Sequence, residues 1–279
     1  MRTTFDQREC QNLKATLGKE WLETNGLGGF ATSSIIGANV RRQGGWLIAA
    51  LRPPVERYVL LSKMEDRVVV AGRDVHLSTN LYPGTVFPHG FNIQTEFRLR
   101  PWPTFRYVTG EFALERSLCL VHGENTAVIT YKSCNLRDPL VIKTRPLLAF
   151  REYNALAKRN DTVNFSVDQN PGIVSVQPYR NLPRLYFASP ATVEVKADWF
   201  HRFQYPVEQE RGLDSEEDLF TPFELTFTLR PGETACLVVS TESRTDGAKL
   251  LEAERKRRKA YDKEPDDTRR ALLIAADSF

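Results

Sequence analysis

The chain has 279 residues, 41% of them hydrophobic and 26% charged, and this composition excludes a disordered, collagen-like or coiled-coil protein. Lysine and arginine number 38 against 35 for aspartate and glutamate, so the net charge of +3 is too small to indicate a nucleic acid or a membrane surface as partner. No apolar segment resembles a signal peptide or approaches the ~20 apolar residues of a spanning helix, so we expect a cytoplasmic protein.

From about Trp46 to Ser240 the sequence consists of short runs with two-residue alternation, separated by Gly, Pro, Asn and Asp. This pattern is typical of half-buried antiparallel strands. The clearest strand is 93–100, and 112–120 with 126–131 is predicted to form a hairpin. Further strands are predicted at 58–61, 68–70, 140–144, 163–167, 173–177, 184–188, 192–196, 223–230 and 234–240. So many strands predict a mainly β fold, a large antiparallel β-sandwich.

The periodicity changes near the C-terminus. Strong helix formers predict a helix over 247–261, after the candidate cap Thr245-Asp246. A second helix is predicted over 268–279, with apolar positions at Leu272, Leu273, Ala276 and Phe279. An apolar helix that stops at Phe279 indicates that a helical domain follows. We therefore divide the chain into a β-sandwich domain (1–244), a linker helix (245–264) and the start of a following helical domain (265–279).

Residues that could bind a metal or catalyse a reaction show no supporting pattern. The four cysteines are widely separated, and the four histidines have neither metal-ligand spacing nor a nucleophile partner. We expect free thiols, structural histidines, no metal and no cofactor. The densest acidic run, Glu216-Glu217-Asp218, lacks the spacing of a calcium loop and is interpreted as a solvated loop. No catalytic residue is assigned.

Five motifs in a fixed order carry a resemblance to a known family. They are residues 20–31 with 37–51, 98–105, 122–126, 145–153, and 211–219. Together they resemble the N-terminal domain of bacterial and archaeal glycogen debranching enzymes of the amylo-α-1,6-glucosidase type, over nearly the whole chain. The resemblance implies a supersandwich-type domain that packs, through a helical linker, against an (α/α)6 barrel. In that family the barrel carries the two catalytic carboxylates, so this chain alone is not expected to hydrolyse glycogen.

Two of these motifs depart from the family pattern by loss of a histidine. Relatives usually read Arg-Arg-Tyr-His-Gly where this chain has Arg41-Arg42-Gln43-Gly44-Gly45. They usually read Phe-Arg-Asp-Tyr-His where it has Phe150-Arg151-Glu152-Tyr153-Asn154. If the lost histidines contact sugar or the barrel in relatives, this chain is expected to bind differently from them or to have reduced activity.

The candidate glucan-binding residues come from these motifs. Asn25, Gly26 and Gly28 form either a tight turn with positive φ or a loop that reaches a glucan at the barrel mouth. The glycine spacing is not that of a dinucleotide fingerprint. Arg41 and Arg42 either bind sugar hydroxyls or an acidic partner, or form an ion pair with Glu20 or Glu23.

Two further sites complete the candidates. Trp102 lies between two prolines, which places it on a bend or an edge, so it is the preferred exposed ring for stacking on glucose, while most aromatic rings are expected in the core. Arg151 and Glu152 are interpreted as a second ion pair or as further glucan-binding residues.

Three classes of function are compatible with the sequence. The first is a non-catalytic N-terminal domain of a debranching enzyme, which supports its own barrel and helps to bind an α-glucan, either glycogen or limit dextrin. The second is a free-standing glucan-binding module. The third is a complete sandwich enzyme acting on free sugars, similar to a mutarotase or epimerase, which needs a general acid and a general base in one concavity.

Overall fold

A computed structural model describes residues 3–277 of the chain, and within this range there are 19 strands and five α-helices. The strands are β1 (Thr4–Asp6), β2 (Glu20–Thr24), β3 (Phe30–Ser34), β4 (Gly45–Arg52), β5 (Val55–Val70), β6 (Arg73–His76), β7 (Thr79–Tyr82), β8 (Thr85–His89), β9 (Gln94–Arg98), β10 (Thr104–Val108), β11 (Ala113–Leu120), β12 (Thr126–Ser133), β13 (Leu140–Glu152), β14 (Val167–Asn170), β15 (Ile173–Val176), β16 (Leu185–Ala188), β17 (Thr192–Gln204), β18 (Glu216–Leu229) and β19 (Thr234–Ser240). The α-helices are α1 (Gln7–Cys10), α2 (Leu13–Leu17), α3 (Pro206–Glu210), α4 (Gly247–Lys259) and α5 (Asp267–Asp277). Single 3-10 turns occur at Gly90–Ile93 and Ala260–Lys263.

The strands form two large antiparallel sheets and one small hairpin. One sheet has nine strands in the order β1-β9-β10-β11-β12-β19-β16-β15-β14. The other has eight, in the order β17-β18-β13-β5-β4-β3-β2, with β6 added beside β5. Strands β7 and β8 pair with each other in a separate two-stranded hairpin. The predicted fold class, a large antiparallel β-sandwich with C-terminal helices, is confirmed.

The main hydrophobic core lies between the two large sheets. Leu118 and Ile129 of the nine-stranded sheet, and Leu61 and Met64 of the eight-stranded sheet, are each at most 1% exposed. Alternate side chains of a strand point to opposite faces, so every second residue of these strands enters the core. The burial of this apolar surface is the main force that holds the two sheets together.

A buried ion pair crosses the same core. Arg116 of β11 lies 2.6 Å from Asp66 of β5, measured from Nη1 to Oδ2, and the Tyr131 hydroxyl donates to Asp66 Oδ1 at 2.7 Å. The Arg116 guanidinium also faces the ring of Trp46, 4.7 Å from its centroid. Burying a charge is tolerated only where it is paired and hydrogen-bonded, as here. Arg116, which interrupts the apolar alternation of its strand, therefore links the two sheets.

Helix α4 covers part of the outer face of the nine-stranded sheet. Leu250 packs there in a separate apolar cluster with Val121, Val128 and Val238. A Cβ atom on Gly247 would lie 2.8 Å from Val238 Cγ2, so a glycine permits the close approach of the helix to the sheet.

The predicted hairpin and both predicted C-terminal helices are confirmed. The hairpin corresponds to β11 and β12, and the helices correspond to α4 and α5. The predicted apolar position Phe279 lies outside the described residues. No helix in the described range is both long enough and apolar enough to cross a membrane.

Four strands are longer than the sequence pattern predicts. β5, β13, β17 and β18 have 16, 13, 13 and 14 residues, and the predicted strands cover only parts of them. Register shifts within their ladders break the two-residue alternation on which the prediction depends. The predicted strand 163–167 is wrong, because β14 begins only at Val167.

The acidic run Glu216-Glu217-Asp218 is the start of β18 and not a solvated loop. Glu217 is fully buried on the outer face of the eight-stranded sheet, where the guanidinium group of Arg151 balances its charge. Arg151 is 66 residues away in sequence, so the acidic run carries no local sign that Glu217 is buried.

Candidate functional site

The loop after β2 is organised around the side chain of Asn25. Its Oδ1 accepts hydrogen bonds from the backbone N–H groups of Leu27 and Gly29, both at 3.0 Å. Its Nδ2 donates to the Glu124 carbonyl at 2.9 Å and to Asn125 Oδ1 at 3.2 Å. A carboxamide has two donors and two acceptor sites, so all of its capacity is used. Asn25 is completely buried and ties its loop to the β11–β12 turn, so its side chain does not face a ligand.

The glycines of this loop adopt the tight turn that the sequence predicts. Gly26 and Gly28 have φ values of +71° and +88°. A Cβ atom on Gly28 would lie 2.5 Å from the carbonyl oxygen of Pro54, so the loop also packs closely on the β4–β5 hairpin. The Gly28 carbonyl accepts a hydrogen bond from Arg57 Nε at 2.7 Å.

The two arginines of the next motif have different partners. Arg41 pairs with Glu20 at 2.7 Å, which confirms one of the two predicted ion pairs. Arg42 pairs with neither predicted partner, because its Nη2 lies 3.0 Å from Oε2 of Glu208, a fully buried residue of α3. Its Nη1 donates to the Asn154 carbonyl at 2.9 Å. Glu208 is 166 residues away in sequence, and no local pattern indicates this contact.

Arg151 does not pair with Glu152. Its Nε and Nη2 bind both carboxylate oxygens of Glu217, at 2.5 and 2.9 Å, and Nη2 also donates to the Arg42 carbonyl at 2.7 Å. The Tyr205 hydroxyl donates to the same carboxylate. Burial disfavours the charged guanidinium, but the charge of Glu217 outweighs it and raises the pKa of Arg151. The predicted pair with Glu152 is wrong, because that side chain turns toward Asn154.

The two motifs that lack a family histidine meet in space. Gln43 Nε2 donates to Asn154 Oδ1 at 3.0 Å. Glu152 accepts two hydrogen bonds from Asn154, at 2.8 Å from the backbone N–H and at 3.2 Å from Nδ2. Gln43 and Asn154, one from each motif, therefore lie side by side in the fold.

These contacts continue toward the glycine loop. The Arg57 guanidinium lies over the Tyr153 ring, 5.7 Å from its centroid, while its Nε binds the Gly28 carbonyl. The Tyr153 N–H donates to the Arg57 carbonyl at 3.0 Å. We name this surface the polar strip, and its members are Gly28, Arg42, Gln43, Arg57, Tyr153 and Asn154. It joins the Asn25 loop to the Arg41–Gln43 loop, and its side chains are half-buried or exposed.

Trp102 lies apart from the polar strip and is not exposed. It is 5% exposed, and its Nε1 donates to Ser117 Oγ at 3.1 Å. The guanidinium groups of Arg255 and Arg258, both on α4, lie 5.5 and 5.7 Å from its ring centroid. The prediction of an exposed ring is wrong, because a helix about 150 residues later in the chain folds back over it.

The same helix is held by a set of contacts that we name the helix clamp, formed by Glu23, Trp102, His122, Glu254 and Arg258. Arg258 pairs with Glu23 and donates through Nη1 to the Pro101 carbonyl at 2.7 Å. Glu254 accepts a hydrogen bond from the His122 backbone N–H at 2.9 Å. Burial raises the pKa of the Glu23 carboxyl, and the charge of Arg258 opposes that rise.

The carboxylates of the site are engaged in structural pairs. Glu217 binds Arg151, Glu208 binds Arg42, and Glu23 binds Arg258. Within residues 3–277 there is no group of three His, Cys, Asp or Glu side chains that could hold a metal ion. The polar strip can form hydrogen bonds through its guanidinium and carboxamide groups, and the ring of Tyr153 lies beside them.

Comparison with protein families identifies the class of domain. Residues 19–236, most of the chain, match the family described as glycogen debranching enzyme N terminal. The chain belongs to this family of N-terminal domains. A search of curated proteins found no match.

Two solved structures resemble the chain at low identity. A heparan sulfate lyase HepC mutant from Pedobacter heparinus is 10% identical, with a TM-score of 0.36, and the match covers 76% of this chain and 29% of the lyase. The chain therefore spans less than a third of the length of that lyase. A candidate aldose 1-epimerase from Escherichia coli K12 is 12% identical, with a TM-score of 0.40, and the match covers 79% of this chain and 98% of the epimerase.

Proposed function

We propose that this chain is the non-catalytic N-terminal domain of a cytoplasmic glycogen debranching enzyme. In this proposal the sandwich (1–244) and the linker helix (245–264) support a catalytic (α/α)6 barrel that begins at about residue 265. The domain also contributes to the binding of an α-glucan, which is glycogen or limit dextrin. Family membership gives the class, and the remaining steps rest on two features of the surface.

The helix clamp is the observation that carries the supporting role. A linker can hold a following domain in a defined position only if the linker itself is fixed. Arg258 fixes α4 through an ion pair with Glu23, which is 8% exposed, and through its contact with the Trp102 ring. Because Glu23 is buried, breaking this ion pair would leave a buried carboxylate without its cation. The helix clamp therefore favours a fixed orientation of α4 relative to the sandwich.

The polar strip supports the role in glucan binding. Guanidinium groups donate hydrogen bonds in a plane and carboxamide groups both donate and accept them, which suits the paired hydroxyls of a sugar. An aromatic ring packs against the apolar C–H face of the sugar. Within residues 3–277 the Oε1 atom of Gln43 accepts no hydrogen bond, so it can accept one from a hydroxyl group. The side chains of Asn25, Arg151 and Glu152 hold the strip in place from beneath.

Binding of the purified chain to glycogen and maltoheptaose tests the glucan contact. We expect measurable affinity, lowered about thirtyfold by Gln43→Ala with Asn154→Ala, since two hydrogen bonds of about 1 kcal/mol each are lost. Asn164→Ala is the control, because Asn164 is exposed and lies outside the polar strip. If the affinity is unchanged in the double variant, the glucan site lies outside the polar strip. If the unmodified chain binds no glucan, this part of the proposal is wrong.

Reading the gene beyond the codon for Phe279 tests the domain assignment. We expect several hundred helix-rich codons, with acidic residues in the loops between paired helices. The purified chain should release no glucose from limit dextrin. An immediate stop codon would contradict the debranching role and would favour a free-standing glucan-binding module.

A further inference from the structure

A small polar cavity lies on the outer face of the eight-stranded sheet, between β5, β7 and the end of β17. Its volume is about 10 Å³, and its lining includes Asn39, Ser62, Lys63, Asn80 and Tyr205. This is about the space that one water molecule needs, and a water also needs polar partners.

The carboxamide of Asn39 lacks a hydrogen-bond partner on one side. Its Nδ2 donates to the carbonyl oxygen of Ser62 at 3.2 Å and to Ser62 Oγ at 3.1 Å. These bonds fix the orientation of the amide, because the opposite orientation would set Oδ1 against a carbonyl oxygen. Oδ1 is buried, and no donor among the described residues reaches it. A buried acceptor without a donor is costly, so a donor is required.

The neighbouring lysine cannot supply that donor. Lys63 Nζ donates to the carbonyl oxygens of Gly37 and Thr79, both at 3.0 Å, and to Asn80 Oδ1 at 2.6 Å. An ammonium group has three hydrogens, and all three are engaged. The donor must therefore come from a guest molecule in the cavity.

The charged and polar groups that line the cavity limit which molecule can occupy it. A cation would lie close to the Lys63 ammonium group, which repels it in this poorly solvated site. A monatomic anion has no hydrogen to give to Asn39. We propose that the cavity holds one ordered water molecule, which donates a hydrogen bond to Asn39 Oδ1.

This water would fix the loop that carries two of the six members of the polar strip, Arg42 and Gln43. Asn39 lies in the β3–β4 loop, three and four residues before Arg42 and Gln43. The adjacent Val40 carbonyl accepts a hydrogen bond from the Val207 N–H at 3.2 Å, so the loop is also held from α3. With the water in place, the loop is held to β5 through Asn39 and Gly37 and to α3 through Val40.

A crystal structure of the unmodified chain at about 1.8 Å resolution or better tests the proposal. We expect one density peak in the cavity, within hydrogen-bond distance of Asn39 Oδ1, that refines as water. Crystals soaked in bromide and in rubidium salts should give no anomalous peak there. An empty cavity, or an anomalous peak from either ion, would overturn the assignment.

A variant adds an independent readout. Asn39→Leu removes the acceptor at similar volume, so we expect the peak to disappear and the Tm to fall by roughly 5 °C. Asn181→Leu, at an exposed position, is the control and should leave the Tm within about 1 °C. A peak that persists in Asn39→Leu would contradict the proposed role of Asn39. If this variant does not fold, the crystallographic result on the unmodified chain still decides.

Discussion

A glycine is required at position 28 for two separate reasons. Its φ is +88°, and an added Cβ would lie 2.5 Å from the Pro54 carbonyl oxygen. Gly123 has a φ of +79° but open space around its Cα, so it isolates the cost of the backbone conformation. We expect Gly123→Ala to lower the free energy of unfolding by about 1 kcal/mol and Gly28→Ala to lower it by about 3 kcal/mol, measured by urea denaturation. Equal losses of unfolding free energy in the two variants would show that the loop can shift away from Pro54 at little energetic cost.

The buried Lys63 makes stability depend on pH in the alkaline range. Burial lowers its pKa from 10.5 to about 8, although the charge of Glu65 opposes this. Between these two values the unfolded chain retains a proton that the folded chain has released, so this lysine makes stability rise with pH. We expect the stability of the unmodified chain, relative to Lys63→Met, to increase from pH 7.5 to pH 10 in urea unfolding. The same comparison with Lys132→Met, an exposed position on β12, should show no such increase.

Residue types in the sequence indicated which side chains matter, but not what they bind. The Arg41–Glu20 pair was predictable because both residues belong to neighbouring motifs. The partners of Arg42 and Arg151 were not, since Glu208 and Glu217 are 166 and 66 residues away and reach them only through the fold. A motif residue that looks free to bind a ligand can thus be fully engaged within the protein, as Asn25 is.

Helix α4 depends on one arginine more than on its neighbours. Arg258 pairs with Glu23, whereas Arg255 is about half-exposed, pairs with Glu252 at 3.7 Å and lies 5.5 Å from the Trp102 ring centroid. Arg258→Gln leaves a buried carboxylate without its cation, so we expect a loss of about 3 kcal/mol and faster hydrogen exchange across Gly247–Lys259. Arg255→Gln should change stability by less than about 0.5 kcal/mol. Similar exchange in the two variants would mean that the clamp does not hold the helix.

Elements were predictable where one face is apolar and the other polar. The hairpin of β11 and β12 and the helix α4 follow this rule, and both were found. β18 departs from it, because its outer face buries Glu217 against Arg151 and its first residues therefore look like a solvated loop. A charge balanced by a distant partner cannot be recognised from local periodicity.

On the scale of the whole molecule, α4 packs on the sandwich, whereas Asp277 of α5 pairs with Arg257 of α4. Leu250 of α4 covers the outer-face cluster of Val121, Val128 and Val238, whereas Leu272 of α5 is 65% exposed. Deleting α5 should therefore cost little, while deleting α4 should uncover an apolar patch and the buried carboxylate of the clamp.

Two shortened chains test this difference. A chain that ends at Lys263 loses α5 only, and we expect its Tm to stay within about 2 °C of the full chain. A chain that ends at Arg244 also loses α4, and we expect its Tm to fall by roughly 10 °C, because several kcal/mol of apolar contact and ion pairing are lost. It should also bind a hydrophobic dye, since the uncovered patch meets water. If both shortened chains have the same Tm, the helix clamp contributes nothing to the stability of the sandwich. The supporting role proposed for α4 would then be wrong.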